Sequence, residues 1–205
     1  MLKIYGQPRS RAFRVIWLAK EAGIPYEHIP VSITADKPEC KEPWYVELNP
    51  NARVPTIDDD GFVMWESAAI NLYLAEKYKC AMFPTTPHGR GRMLQWAFFI
   101  ANDVEPPMIT MFQHRSLFPP EKRVAAMGDA AEAQLVGKLR VLEGHLAKNK
   151  FFGGDKWDMA DFMVASVTYT LASIKYDLSK YPAFDAWLKA SIERPAAREA
   201  RKLRE

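Results

Sequence analysis

Cysteine is scarce in this chain: Cys40 and Cys80 are the only two among 205 residues, and no Cys-x-x-Cys pair occurs. A disulfide-framed secreted scaffold and a dithiol oxidoreductase are both excluded, and two free thiols in a reducing compartment are expected. Histidine is thin as well. His28, His88, His114 and His145 are widely scattered, and no His/Cys/Asp cluster has metal-ligand spacing, so no metal is expected. No apolar run approaches the roughly 20 residues of a membrane span, and the first residues lack the basic-then-apolar plan of a secretory leader. The expectation is a cytoplasmic protein with no membrane partner. Charge of one sign is also short, since 28 Lys and Arg against 25 Asp and Glu leave a formal net charge of +3. The one basic run (Arg194, Arg198, Arg201, Lys202, Arg204) lacks interleaved aromatics. It reads as a solvated helix face, and no nucleic-acid partner is expected.

What is present is ordinary globular composition, 48% hydrophobic and 26% charged, enough to bury a real core. The first eighty residues alternate between strand and helix signals. Leu2–Tyr5 is a short β-prone run ended by Gly6 and Pro8. From Arg11 to Ala22 apolar residues recur at helical spacing around a wide face, and Gly23 with Pro25 closes the helix. Ile29, Val31 and Ile33 alternate as a second strand. A polar, proline-punctuated stretch runs from Asp36 to Pro50, with one short helix around Tyr45. Val54–Asp58 and Phe62–Trp65 flank Asp59-Asp60-Gly61, the turn chemistry of a β-hairpin. Glu66-Ser67 opens a further helix. The order β-α-β-α-β-β-α describes a layered α/β domain.

Past Pro84 and Pro87 the strand signals stop. Helical patterns cover Met93–Phe112, Glu121–Lys148, Asp158–Ser173 and Phe184–Ser191, ahead of the basic end. Asp158-Met-Ala-Asp161 has the form of an acidic capping box before an apolar run. The change of period sets the expected domains at 1–79 (α/β) and 87–205 (all-helical), joined by a linker over 80–86.

The segments YGQPRSRAFRVIWLAKEAGIPYE, NPNARVPTI, WESAAINLYLAEKY and FFGGDKWDMADFMVAS occur in the order seen in cytosolic glutathione transferases, and the resemblance spans almost the whole chain. Asn-Pro-x-x-x-Val-Pro followed by Glu66-Ser67, after a serine-containing turn, is its specific part. The resemblance implies a thioredoxin-like first domain, an all-helical bundle as the second, a homodimer, and glutathione as co-substrate with no metal.

Glutathione chemistry needs a thiol made into thiolate near neutral pH, a clamp for a charged tripeptide and an apolar shelf. A free thiol is only a few per cent ionised at pH 7. Ser10, between the first strand and first helix, is the candidate hydrogen-bond donor to the sulphur, since many such enzymes carry Ser, Tyr or Cys in this turn. N-cap of the first helix is its other reading. Arg9 and Arg11 add positive potential or are simply solvated. Counting from Arg14, as some related classes are aligned, puts Arg9 rather than Ser10 at the activating position. The resemblance implies a cis peptide at Val54-Pro55, turning the Val54 N–H and C=O toward the cysteinyl backbone of glutathione. The other reading of Pro55 is the start of an edge strand. Ser67, at a helix N-terminus, suits the γ-glutamyl carboxylate, and Glu66 suits its ammonium, against the plain reading of a helix start. By position, Lys41 pairs with the glycyl carboxylate, Arg53 stands where the family often has Lys or Gln, and Asp103 resembles an acidic residue that reaches the partner subunit's glutathione. Ordinary surface charge is the alternative for all three. Met108, Met111 and Phe112 are spaced to face one side, as an adaptable apolar shelf or as core.

The expected activity is conjugation of the glutathione thiolate to a hydrophobic electrophile. Glutathione-dependent reduction, peroxide reduction or isomerisation at the same site is the nearest alternative. A non-catalytic scaffold or ligand carrier of the same fold is the more distant one.

Overall fold

The computed structural model describes residues 1–34 and 37–204; Asp36, where the proline-punctuated stretch begins, and Glu205 lie outside the described residues. The chain divides into two compact units, Met1–Phe83 together with the segment from Glu193 onward, and Pro84–Ile192.

The first unit is built from β1 (Leu2–Tyr5), α1 (Ala12–Glu21), β2 (Tyr26–Ile29), a single 3-10 turn at Glu39–Lys41, α2 (Pro43–Leu48), β3 (Thr56–Asp59), β4 (Phe62–Trp65) and α3 (Ser67–Lys77). The sheet order is β2-β1-β3-β4, with β1 parallel to β2 and antiparallel to β3. This is the expected β-α-β-α-β-β-α arrangement. The hairpin pairs Thr56 with Trp65 and Asp59 with Phe62, so Asp60-Gly61 alone makes the turn. The second strand differs from the alternation at Ile29, Val31 and Ile33: pairing ends at Ile29, because Pro30 has no N–H to donate to the ladder. Val31 is instead buried among Tyr5, Cys40 and Tyr45.

Helix α1 is apolar almost all round, and every residue from Ala12 to Ala19 is buried. Such a helix needs cover on several sides. It packs on β1, on α3 and on α9 (Pro195–Lys202). Residues from 193 onward, read from sequence with the helical domain, thus pack in the first unit. The Arg194 guanidinium forks onto the Glu21 carboxylate at 2.8 and 2.9 Å, and the Trp17 indole N–H donates to the same carboxylate at 3.1 Å. Beyond α9, the Arg204 guanidinium lies 4.9 Å above the Phe13 ring and donates to the Pro8 carbonyl, while Arg9 Nε donates to the Arg204 carbonyl.

One buried charge anchors α3 to the sheet. Asp59 accepts from Lys77 Nζ at 2.6 Å, Tyr73 Oη at 2.9 Å and Tyr78 Oη at 3.0 Å. Burial pushes its carboxyl up, but these three donors outweigh burial and hold it below the usual value. A carboxyl depressed in the folded state contributes stability that is present above its unfolded pKa of about 3.9 and lost as pH falls through the folded value. Asp59→Asn is therefore expected to destabilise the neutral-pH protein by about 2–3 kcal/mol. It should also flatten the fall in melting temperature below about pH 4, measured by calorimetry from pH 2 to 7. An unchanged acid limb in the variant would place the acid sensitivity elsewhere.

The second unit comprises α4 (Pro87–Phe99), α5 (Glu105–Phe112), α6 (Ala125–Leu146), α7 (Met159–Ser173) and α8 (Pro182–Ile192). The single helix expected over Met93–Phe112 is interrupted by a π segment at Ile100–Val104, and a second π segment follows at Gln113–Leu117. Pro106 and Pro107 lack the N–H groups that would continue regular bonding, so the helix widens just before them. Pro119 and Pro120 likewise hold back α6, which starts at Ala125 rather than Glu121. Leu135, Leu139 and Leu142 line its inner face, and α7 is buried continuously from Met159 to Thr168. No helix among the described residues is long and apolar enough to cross a membrane.

Candidate functional site

Three chain segments of the first unit converge on the opening turns of α1. The first is the turn between β1 and α1. Gly6, at φ 132°, leaves space that no other residue can leave: a Cβ there would stand 2.9 Å from the Cβ atoms of both Ala12 and Val54. The missing side chain thus brings Val54 against the start of α1. Half-buried Ser10 completes this turn. Its hydroxyl donates to the Gln7 carbonyl at 2.6 Å and accepts from the Ala12 N–H at 3.1 Å. Ser10 thus takes the first N–H of α1 although the N-cap position falls on Arg11, and its single hydroxyl proton points at Gln7.

The second segment is the loop from Asn49 to Thr56. The Val54-Pro55 peptide is cis. Pro55 is buried and Val54 half-buried, and neither the N–H nor the C=O of Val54 is bonded to another backbone group among the described residues. The flanks are held from behind. The Arg53 carbonyl accepts from Tyr45 Oη at 2.7 Å and Asn49 Nδ2 at 2.8 Å, and the Thr56 hydroxyl contacts the same two side chains. Burial, eased by the Thr56 and Asn49 bonds, pushes the Tyr45 phenol up to about 12, so it stays a hydrogen-bond donor across the physiological range. Asn49 also folds the turn, receiving the Asn51 N–H on its side chain and the Ala52 N–H on its carbonyl.

The third segment is the entry into α3. Glu66 is exposed and sits at φ 75°, an uncommon conformation for a side chain of this size, held directly before an 11-residue helix. Ser67 behind it is buried, and its hydroxyl accepts from Arg14 Nη1 at 3.4 Å. Arg14, itself buried in α1, thus places positive charge beneath the first turn of α3, where unpaired helix N–H groups already favour an anion.

Ser10, Val54, Pro55, Glu66 and Ser67 are thus gathered around the first two turns of α1. Lys41 and Arg53 are exposed in the same unit, and neither side chain bonds to another described residue. Asp103 belongs to the other unit, on the first π segment, where it takes Lys138 Nζ at 2.8 Å. Met108 is fully buried and Met111 nearly so, leaving half-buried Phe112 as the accessible member of the apolar trio. No role for Tyr45 or Asn49 is read from the sequence, where Arg14 serves only as an alignment marker. Asn49 opens the Asn-Pro motif, so its turn chemistry was the available signal. Nothing local marked Arg14, whose partner Ser67 lies on another helix, or Tyr45, whose partners Arg53 and Thr56 lie beyond the following turn.

Both units have counterparts among known proteins. Residues 9–77 match the family described as glutathione S-transferase, N-terminal domain, and residues 106–195 match glutathione S-transferase, C-terminal domain. Glutathione S-transferase F9 of Arabidopsis thaliana is 30% identical over 97% of this chain and 95% of its own length. Glutathione S-transferase 3 of Zea mays is 31% identical over 95% and 90%. Among solved structures, the theta class glutathione S-transferase of Xanthomonas axonopodis pv. citri with glutathione bound superposes with a TM-score of 0.88 at 28% identity, covering 97% of this chain and 96% of that one. With likeness running through both units and nearly end to end, the chain belongs to the glutathione S-transferase family.

Proposed function

We propose that the protein transfers glutathione to hydrophobic electrophiles, binding the tripeptide along the three segments around α1 and activating its thiol at Ser10. The observation that carries this reading is the convergence itself: an unpaired backbone stretch at Val54, an anion-favouring helix start at Ser67 and a hydroxyl at Ser10 lie around one helix end. The Ser67 hydroxyl accepts from Arg14, so its own proton is available for the γ-glutamyl carboxylate. Glu66 faces solvent beside it and suits the ammonium of the same end. Val54 offers both backbone groups to the cysteinyl residue in the manner of an added strand. Exposed Lys41 and Arg53 suit the glycyl carboxylate by charge. The sulphur then lies at the β1–α1 turn, where Ser10 turns its proton from the Gln7 carbonyl to the thiolate. The thiol proton leaves to solvent, sulphur forms the bond to carbon, and the electron pair passes to the leaving group or acceptor.

A glutathione-linked disulfide with the protein is disfavoured, because both cysteines are buried and neither lies in the Ser10 turn. The protein works in the cytoplasm as a homodimer in this reading. Exposed Phe62 and Trp65 of the first unit and Phe98 of the second are apolar surface that a second copy would cover. Asp103 would serve the glutathione of that second subunit.

The test is ultraviolet titration of bound glutathione for thiolate, with Ser10→Ala beside the parent protein. The variant should raise the apparent thiol pKa by about one unit, which corresponds to roughly 1.4 kcal/mol, and lower kcat/KM about tenfold at pH 6.5. An unshifted thiolate titration in Ser10→Ala would leave Ser10 as a helix cap and assign activation to the backbone N–H groups of the turn.

A further inference from the structure

Contacts from a single residue beyond α9 land on both sides of Ser10. After α9 ends at Lys202, one more backbone turn sets the place of Arg204, whose N–H donates to the Arg201 carbonyl at 2.8 Å. Arg204 Nη1 donates to the Pro8 carbonyl at 3.1 Å, and the Arg204 carbonyl accepts from Arg9 Nε at 2.6 Å. The same guanidinium lies 4.9 Å above the ring of Phe13, in the first turn of α1. A peptide unit is planar, so holding the Pro8 oxygen fixes the direction in which the chain enters Arg9 and Ser10.

The turn has little of its own to keep that shape. The Gln7 carbonyl accepts both the Ser10 N–H at 3.0 Å and the Ser10 hydroxyl at 2.6 Å, and Pro8 has no N–H to add. When the hydroxyl proton turns to the glutathione sulphur, the shorter of these two bonds is given up. A donor stabilises a thiolate only if it is held in place beforehand, and the turn then depends on what holds it from outside. Docking of α9 does not call for the Arg204 contacts. Ala197 and Ala200 are buried there, and Arg194 already forks onto Glu21.

We propose that Arg204 is a positioning residue for thiol activation: by clasping Pro8 and Arg9 and covering Phe13, it holds the β1–α1 turn in the shape that aims the Ser10 hydroxyl. This inference rests on the proposed glutathione chemistry and adds to it a residue that acts through Ser10 rather than on the tripeptide. Arg9 belongs to the same clasp, which gives it a task other than the activating one that counting from Arg14 would assign.

Ultraviolet titration of bound glutathione on the full-length protein tests this with Arg204→Gln, Arg204→Lys and the double variant Ser10→Ala/Arg204→Gln. Arg204→Gln should raise the apparent thiol pKa by about half a unit and lower kcat/KM about threefold at pH 6.5, with the loss regained above the thiol pKa. KM for glutathione should stay within about twofold of the parent, because Val54 and Ser67 are untouched. Arg204→Lys keeps one donor and the cation and should recover part of the loss. The double variant should titrate as Ser10→Ala does, since both changes act on one hydroxyl. A parent-like titration in Arg204→Gln with only a lower melting temperature makes Arg204 a plain anchor and overturns the proposal. A further shift in the double variant overturns it too, by assigning the effect to the charge of Arg204 itself. If Ser10→Ala shifts the titration and Arg204→Gln does not, the proposed activity stands and this inference alone fails. No shift in either variant removes the role of Ser10 and this inference with it.

Discussion

Asp161→Ala is expected to destabilise the helical unit by about 3–5 kcal/mol, because it leaves buried donors without an acceptor. Asp161 is wholly buried at the start of α7 and accepts four hydrogen bonds. They come from the N–H groups of Phe152, Gly153 and Asp158, at 3.0, 3.1 and 3.3 Å, and from the Trp187 indole N–H at 2.9 Å. One carboxylate thereby ties the loop before α7, the helix cap and α8 together. Asp158 completes the capping box by accepting the Asp161 N–H, and it also takes the Ala160 N–H at 2.8 Å. Its carboxyl occupies the space beside Gly153, where a Cβ would fall 2.0 Å from Asp158 Cγ. Burial raises the Asp161 pKa despite its donors. A carboxyl raised in the folded state holds its proton more readily there than in the unfolded chain, so acid does not dissolve this cap as it does the Asp59 cluster. Asp161→Asn, keeping the shape and one oxygen, should cost less than Asp161→Ala. Urea unfolding followed by tryptophan fluorescence measures both. A loss under 1 kcal/mol for the alanine variant would show that water satisfies the four donors.

The second large effect falls on binding. Ser67→Ala should raise the KM for glutathione about 10- to 100-fold, as expected for removing a hydrogen bond worth roughly 1.5–3 kcal/mol to a charged group. Ser67 is the first residue of α3 and is buried, and its hydroxyl accepts from Arg14, which leaves its own proton to donate. The helix N–H groups remain in the variant, and binding should weaken without vanishing. The melting temperature should fall only slightly, since Glu66 and not Ser67 is the cap residue of α3 and the bond that Arg14 loses is a long one of 3.4 Å. At saturating glutathione kcat should be nearly unchanged, because this end of the tripeptide is bound alike before and during reaction. A KM within twofold of the parent would move the γ-glutamyl end away from α3.

The parts of this fold that were legible in the sequence are those whose cause lies within a few residues. Asp60-Gly61 makes its hairpin turn from its own backbone preferences, and a strand forms on either side, the second over Phe62–Trp65 as expected and the first over Thr56–Asp59 rather than Val54–Asp58. Asp158 and Asp161 stand three apart, which alone puts each carboxylate at the other's backbone. The 3.6-residue recurrence in α1 marked a buried helix before any partner was known. Glu66-Ser67 and Val54-Pro55 were readable for a different reason, as an ordered set of motifs resembling one family.

Interruptions and long-range partners were not legible. Periodicity reads straight through Ile100–Val104, because a π turn adds a residue without disturbing the apolar count. The alternation at Ile29, Val31 and Ile33 is real, but Pro30 ends the ladder and Val31 is buried against α2 instead. The basic stretch from Arg194 to Arg204 looks solvated in sequence. Only folding brings Arg194 to Glu21, 173 residues away, and Arg204 to Phe13. Likewise the hydroxyl of Ser10 can be named as a candidate from its turn. That its proton points at the Gln7 carbonyl, that Arg14 lies beneath Ser67, and that Tyr45 and Asn49 brace the Arg53 carbonyl follow from packing alone. Local chemistry is written in neighbouring residues, and so the sequence by itself determined the elements and the motifs. Contacts between residues far apart depend on how the elements pack, and so only the tertiary structure decided which charges are spent, which are free, and where the site is held rigid.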